Sequence, residues 1–258
     1  MKLDPKEKIG YNLKIQESKM FYSDFADDYE KIFPFSESVY KFLVSYKPSH
    51  MKKILDIGCA TGHYCGKFTS EGFDATGIDL DSQMILSAEN KYNKATFLEM
   101  NLNDISSIRE QFDMVYSTGN VVAHVPEDDL NIFLDNLKNI LTEKGVWIFQ
   151  VINWDYILTL KEFNFPLIET DTKSFYRKYT NITKNTLIFN TELIDKRSGK
   201  SLFKDKVTMY PMPSEHYIKL HEDKGFKLRG HFSDYGKKPF DSKVFSADIY
   251  VFSAATSA

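Results

Sequence analysis

The sequence predicts an α/β fold: a doubly wound, seven-stranded, mostly parallel sheet whose last strand runs antiparallel, with an inserted antiparallel β segment. Three observations predict it. From Lys52 to Val151, apolar runs alternate with amphipathic stretches, giving five strands joined by helical connections. That alternation is the pattern of an open, mostly parallel sheet. The run "VWIFQV" is apolar almost throughout, as a strand covered on both faces must be. Two strand-like runs at the C-terminal end, "KLRGHFSDYG" and "SADIYVFSA", are joined by a short link and can return as antiparallel neighbours, completing the seven.

The elements follow in order. Residues 18–47 read as helical, with Phe21, Phe25 and Tyr29 spaced by four, and Pro34 divides the segment into two helices. "KKILDIG" is the first strand, and "TGHYCGKFTSEG" is a helix closed by Gly72. "DATGIDL" is the second strand; the helix after it opens on Asp81 or Ser82 as N-cap. "ATFLEM" and "FDMVYST" are the third and fourth. In "PEDDLNIFLDNLKNILTEKG", Leu130, Phe133, Leu134, Leu137 and Leu141 share one helical face. Acids fill that helix's first turn, and Lys144-Gly145 is expected to end it. Between Thr170 and Met212, β-branched and aromatic residues alternate with polar ones, predicting two or three antiparallel strands outside the main sheet. "PSEHYIKLHEDKGF" is then a helix, capped by Ser214 and stopped by Gly225.

Composition narrows the function classes. The chain has 258 residues, is 42% hydrophobic and carries a net charge of -3, which suits one large globular unit and disfavours a bulk basic field for nucleic acid. No apolar stretch approaches the ~18 residues of a membrane span. The polar start "MKLDPKEK" is no secretory leader, so a cytoplasmic location is expected. The two cysteines, Cys59 and Cys65, lack redox or metal spacing and are expected to be buried thiols.

The chemistry concentrates in "ILDIGCATGHY". A strand ends on Asp56 and Ile57, and Gly58 and Gly62 then allow a sharp turn that a ligand can approach closely. In open α/β sheets ligands sit beyond the carboxyl ends of the strands. A dinucleotide fingerprint would read G-x-G-x-x-G. Here Ala60 takes the second glycine position and His63 the third. A carboxylate two residues before the first glycine suits a cationic amine and would repel a pyrophosphate. "TGIDLD" ends on Asp79, about 20 residues on, where an acid can accept both ribose hydroxyls.

These residues resemble the class I S-adenosylmethionine-dependent methyltransferases, which share a Rossmann-like fold. "LDIGCATG" is similar to their first motif and "GIDLDSQMI" to their second. The likeness continues through "FLEMNLNDI", "FDMVYSTGN" and "LKNILTEKGVWIFQV", and again in "EDKGFKLRGHFSDYGKKPF". It implies S-adenosyl-L-methionine as cofactor. Asp56, Gly58, Cys59, Ala60 and Gly62 would hold its methionine end, and Asp79 its ribose. Leu80 and Met84 would pack on the adenine, Asn101 and the Leu102 backbone would bond its edge, and Ser117 and Thr118 would line the methionine portion. The implied units are an N-terminal helical cap over residues 1–48, a cofactor-binding domain over 49–165 and 213–258, and an inserted substrate-side β subdomain over 166–212.

A narrower likeness concerns the acceptor. "STGNVVAHVP" and "VINWDYIL" resemble the glycine and sarcosine N-methyltransferase group, which implies that Asn120 and His124 face the acceptor, with Tyr29 in a capping helix. In that group an Arg commonly precedes the position of Asn153; here Ile152 stands there. The bidentate carboxylate clamp is therefore missing. The expected acceptor is a small molecule with an apolar or aromatic part, larger than glycine, bounded by Ile152 and Trp154, with Arg177 approaching from the insert. Methylation could be N- or O-directed, by a monomer or a homodimer. Two other readings remain open: an NAD(P)-dependent oxidoreductase, and a non-catalytic cofactor-binding protein of the same fold.

Overall fold

The computed structural model describes residues 29–254. The expected helix over residues 18–28, with Phe21 and Phe25, lies outside them. Within them, Pro34 does separate two helices, Tyr29–Ile32 and Glu37–Ser45.

Seven strands form the main sheet: β1 (Lys53–Ile57), β2 (Asp74–Asp79), β3 (Thr96–Glu99), β4 (Phe112–Ser117), β5 (Leu141–Ile152), β11 (Phe226–Phe232) and β12 (Ala247–Ala254). Their spatial order is β11-β12-β5-β4-β1-β2-β3. The contacts among β3, β2, β1, β4 and β5 are parallel, while β12 runs antiparallel between β5 and β11. The expected layout of the main sheet is therefore the observed one. The order reverses at β1, so the ends of β1 and β4 open the crevice where a ligand fits.

A second sheet holds β6 (Phe163–Asn164), β7 (Ile168–Glu169), β8 (Lys173–Thr180), β9 (Leu187–Asp195) and β10 (Ser201–Met209), all paired antiparallel. It is separate from the main sheet, as expected, but begins seven residues before Thr170 with two-residue strands too short to show alternation.

Two local readings are corrected, and one choice is settled. The helix Glu127–Ile140 does not run to Lys144-Gly145, because β5 begins at Leu141. Residues 142–145 form a bulge between the pairs Phe112↔Leu141 and Met114↔Val146. Ser214 is not a cap; it is the first residue of the helix Ser214–Asp223, whose N-cap is Pro213, and its N–H donates to Asp155 at 3.2 Å. Asp81, one of two expected caps, is the one used: its carboxylate accepts from the N–H groups of Gln83 and Met84.

Apolar cores cover both faces of the main sheet. Leu55, Ile57, Val115, Trp147 and Phe149 face one side, and Ile54, Met114, Tyr116 and Ile148 the other. Burial of both faces explains why these strands read as near-continuous apolar runs. Among the described residues no helix is long and apolar enough to cross a membrane.

Candidate functional site

The turn after β1 is built from its backbone outward. Gly58 has φ +74° and Gly62 φ +79°, conformations that favour glycine. Ala60 is also left-handed, at +47°. Four of the turn's N–H groups are used within the protein. Gly58 and Cys59 donate to the Ile78 carbonyl at 2.8 and 3.0 Å, and Gly62 donates to the Cys59 carbonyl at 2.9 Å. Ala60 donates to the Asp79 carboxylate at 2.9 Å.

Two carboxylates stand at this turn. Asp79 ends β2 half-buried, its other oxygen accepting from the Asp81 N–H at 3.0 Å. Burial raises its pKa to about 6, against the pull of those backbone donors. Asp56 is buried beneath the turn. Its Oδ2 accepts from the Tyr116 hydroxyl at 2.9 Å and from the Cys65 thiol at 3.8 Å. Burial raises Asp56 to about 7, with the Tyr116 bond opposing. Cys59 and Cys65 are free, buried thiols, as expected, and burial pushes both well up.

The residues expected on the adenine side gather nearby. Met84 is buried and packs with Ala60, and Tyr29 lies against the pair. The Met100 N–H donates to the Asp79 carbonyl at 2.9 Å, bringing Asn101 and Leu102 to the same edge. Asn101 caps a 3-10 turn by accepting from the Asn103 N–H, leaving a second lone pair on that oxygen. Leu80, Leu102 and Thr118 are half-buried. The Ser117 hydroxyl donates to the Ile57 carbonyl at 2.8 Å and so points into the sheet.

Asn120 follows β4 in a left-handed conformation, φ +70°, and its amide is engaged at both ends. Its oxygen accepts from the Ile152 N–H at 2.9 Å and its nitrogen donates to the Tyr179 hydroxyl at 3.2 Å. His124 ends the next 3-10 turn; burial lowers it to about 4, so its ring is neutral at neutral pH. Trp154 is fully buried and packs on Tyr179 at 5.5 Å, while Ile152 stays half-buried. Arg177 sits on β8 with its guanidinium 4.9 Å from the Phe165 ring and 6.0 Å from Phe33; its Nη2 donates to the Pro166 carbonyl. The expected residues thus fall into two groups: Asp56 to Met84 round the turn, and Asn120, Ile152 and Trp154 at the ends of β4 and β5.

Sequence reasoning missed several neighbours. Glu30 accepts from the Thr61 hydroxyl at 2.9 Å and from the Lys91 ammonium at 3.0 Å, fastening the Tyr29–Ile32 helix to the turn. Phe245, 39% exposed, stands 4.5 Å from Phe163 and 6.0 Å from Phe165. Tyr179 was legible in "SFYRKYT", whose alternation puts Phe175, Arg177 and Tyr179 on one face. Nothing in the sequence pairs Glu30 with Thr61, 31 residues away.

The donor set decides what this turn can hold. A pyrophosphate needs free backbone N–H groups, and those of Gly58, Cys59, Ala60 and Gly62 already have partners within the protein. The carboxylates of Asp56 and Asp79 suit an ammonium and a ribose diol. The residues present therefore fit S-adenosylmethionine.

Comparison with known proteins agrees. Residues 54–145 match the family described as "Methyltransferase domain". YqeM of Bacillus subtilis (strain 168), classed as a methyltransferase, is 26% identical over 139 residues, covering 51% of this chain and 56% of its own. A ubiquinone biosynthesis O-methyltransferase of Nitrobacter winogradskyi is 30% identical over 105 residues, 39% of each chain. The chain thus spans about half the length, or less, of these relatives. Among solved structures, an S-adenosylmethionine-dependent methyltransferase from Clostridium acetobutylicum superimposes with a TM-score of 0.76 at 17% identity, over 91% of this chain and 99% of that one. The CcbJ methyltransferase of Streptomyces caelestis gives 0.75 at 16% identity, over 91% and 98%. At such identities the likeness bears on the fold. Residues 54–145 thus match a methyltransferase domain, and the chain has the fold of the S-adenosylmethionine-dependent methyltransferases.

Proposed function

We propose that this chain is an S-adenosylmethionine-dependent methyltransferase that moves a methyl group onto a small-molecule acceptor, through the acceptor's nitrogen or oxygen. The observation that carries the proposal is the chemistry of the glycine turn: the amides of Gly58, Cys59, Ala60 and Gly62 are already bonded, and Asp56 and Asp79 stand beside it. That set favours a cationic ligand with a diol over a pyrophosphate, and so disfavours the oxidoreductase reading.

When bound, the cofactor supplies a methyl group already activated on a sulfonium. The chain's own work is to hold, orient and exclude water. In our reading Asp79 accepts from the ribose hydroxyls, and Met84, Leu80 and Tyr29 enclose the adenine. Asn101 and the Leu102 backbone meet the adenine edge, and Ser117 and Thr118 back the methionine portion. Positioning the nucleophile against the methyl can contribute ~7 kcal/mol or more. His124 faces the acceptor as a neutral ring. Held at about 4, it is a weak base, so its part is to accept a hydrogen bond from an acceptor whose proton leaves easily.

The acceptor side is apolar and aromatic. Ile152 stands where the glycine and sarcosine enzymes commonly have Arg, and Phe165 and Phe245 form a ring cluster beside Arg177. This supports an acceptor with an aromatic or apolar part and disfavours free glycine. The Nitrobacter relative's name specifies O-methylation. A structure that superimposes with a TM-score of 0.66 is a sugar N-methyltransferase, KedS8. Both directions therefore stay within the proposal.

Asp79→Ala tests the cofactor assignment. Losing a charged acceptor for two hydroxyls should cost ~2–3 kcal/mol in S-adenosylmethionine affinity, or about 30- to 160-fold. Asp79→Asn, which keeps one acceptor oxygen, should lose less. Unchanged affinity in both variants would remove Asp79 from the site.

A further inference from the structure

The loop after β4 lies between the two sheets and is fastened to both. Gly119 donates to the Gln150 side chain at 2.9 Å, and Asn120 donates from its backbone to the Gln150 carbonyl at 3.2 Å. The Asn120 side chain spans the gap, accepting from Ile152 on β5 and donating to Tyr179 on β8. A second tie comes from the end of β10, where the Tyr210 N–H donates to the Ala123 carbonyl at 2.8 Å. Between these ties sits Val121. A Cβ built on Gly58 would lie 2.5 Å from Val121 Cγ2, so the valine rests directly on the glycine turn.

These contacts form one continuous path. It starts in the inserted sheet at Tyr179, passes through Asn120 to Val121, and ends on Gly58. Tyr179 is itself immobilised: it is 1% exposed and packed by Trp154, Phe165 and Phe189 at 5.5, 4.8 and 5.3 Å. Its neighbour on the same face of β8 is Arg177, 4.9 Å from Phe165. The rings that border the acceptor side therefore also set where the Tyr179 hydroxyl stands.

We infer that Tyr179 and Asn120 are positioning residues through which the inserted sheet holds the cofactor turn. Neither needs to touch the cofactor. Asn120 has a left-handed backbone, φ +70°, which asparagine tolerates better than most residues, and its side-chain bonds tie the loop there. Releasing its side chain lets the Gly119–His124 loop relax and lifts Val121 from Gly58. The inference rests on the methyltransferase reading only for the identity of the ligand in the turn. Its consequence is reciprocal coupling: whatever orders the acceptor-side rings tightens cofactor binding, and the cofactor tightens acceptor binding by the same factor.

The test pairs Tyr179→Phe with Asn120→Ala and reads two quantities. The first is affinity for S-adenosylhomocysteine by calorimetry. Tyr179→Phe should lose about tenfold, the equivalent of one hydrogen bond; Asn120→Ala, which removes two, should lose more, and the double variant should lose no more than Asn120→Ala alone. A structural defect without this path would give additive losses that follow the fall in Tm. The second is amide hydrogen exchange of residues 119–124 without ligand, expected to speed up about tenfold in Tyr179→Phe, with β1 and β2 unchanged. If wild-type protein fails to bind S-adenosylhomocysteine, the functional reading fails and the exchange measurement alone decides the inference. Unchanged exchange in Tyr179→Phe, or additive affinity losses, would overturn it.

Discussion

His221 shows what a histidine does when it is core rather than site. It is fully buried, stacked 4.3 Å from Phe252 and 5.1 Å from Phe149. Its Nε2 takes the Trp147 indole proton at 3.1 Å, which leaves Nδ1 to donate to the Tyr217 carbonyl at 2.6 Å. Burial lowers its pKa to about 4, below the 6.5 of an unfolded chain. Between those values the unfolded state binds more protons, so stability rises with pH and falls as acid is added. The difference amounts to roughly 3 kcal/mol across the window. His221→Phe keeps the ring stack and removes the titration. It should cost about 1–3 kcal/mol at pH 7 for the stranded indole, yet lose less stability than wild type between pH 6.5 and 4. Equal pH slopes in thermal melts would contradict this account of His221. At this scale the sequence was partly readable. Asp79 and Gly58 were marked by spacing along the chain, but Asn120's partners lie 32 and 59 residues away and no local pattern announces them.

Among the elements, the turn between β1 and the helix His63–Ser70 depends most sharply on its sequence. Gly58 combines a positive φ with the weight of Val121 above it. Gly58→Ala should destabilise the protein by about 2–4 kcal/mol, part from the left-handed backbone and part from the clash. Adding Val121→Ala should return about 1 kcal/mol or more, because it relieves the clash and leaves the φ penalty. Denaturant unfolding of the single and double variants measures both; a double variant no more stable than Gly58→Ala would deny the contact. Strong periodicity made most elements legible, as in the Glu127–Ile140 helix with its buried Leu130, Phe133, Leu134 and Leu137. Its end was misread because Leu141 fits the helical stripe and the strand pattern equally. The bulge at 142–145 is chosen by pairing with β4, which a local pattern does not contain. β6 and β7 escaped for the same reason: each is two residues long and exists only through β8.

For the whole molecule, the order β11-β12-β5-β4-β1-β2-β3 puts the glycine turn, Asp79 and the Asn120 loop together at the carboxyl ends of its parallel strands. The second sheet and the Tyr29–Ile32 helix close over those ends through Tyr179, Tyr210 and Glu30. The main sheet was legible because helices between parallel strands leave few alternatives. The seating of the second sheet was not, since it depends on a handful of long-range bonds. The central claim is that the turn holds a cationic, ribose-bearing cofactor rather than a dinucleotide. Titration calorimetry of the wild-type protein with S-adenosylmethionine and, separately, with NAD tests it most directly. The account predicts saturable one-site binding of S-adenosylmethionine and none of NAD at the same concentrations. Saturable binding of NAD with no heat from S-adenosylmethionine would contradict it.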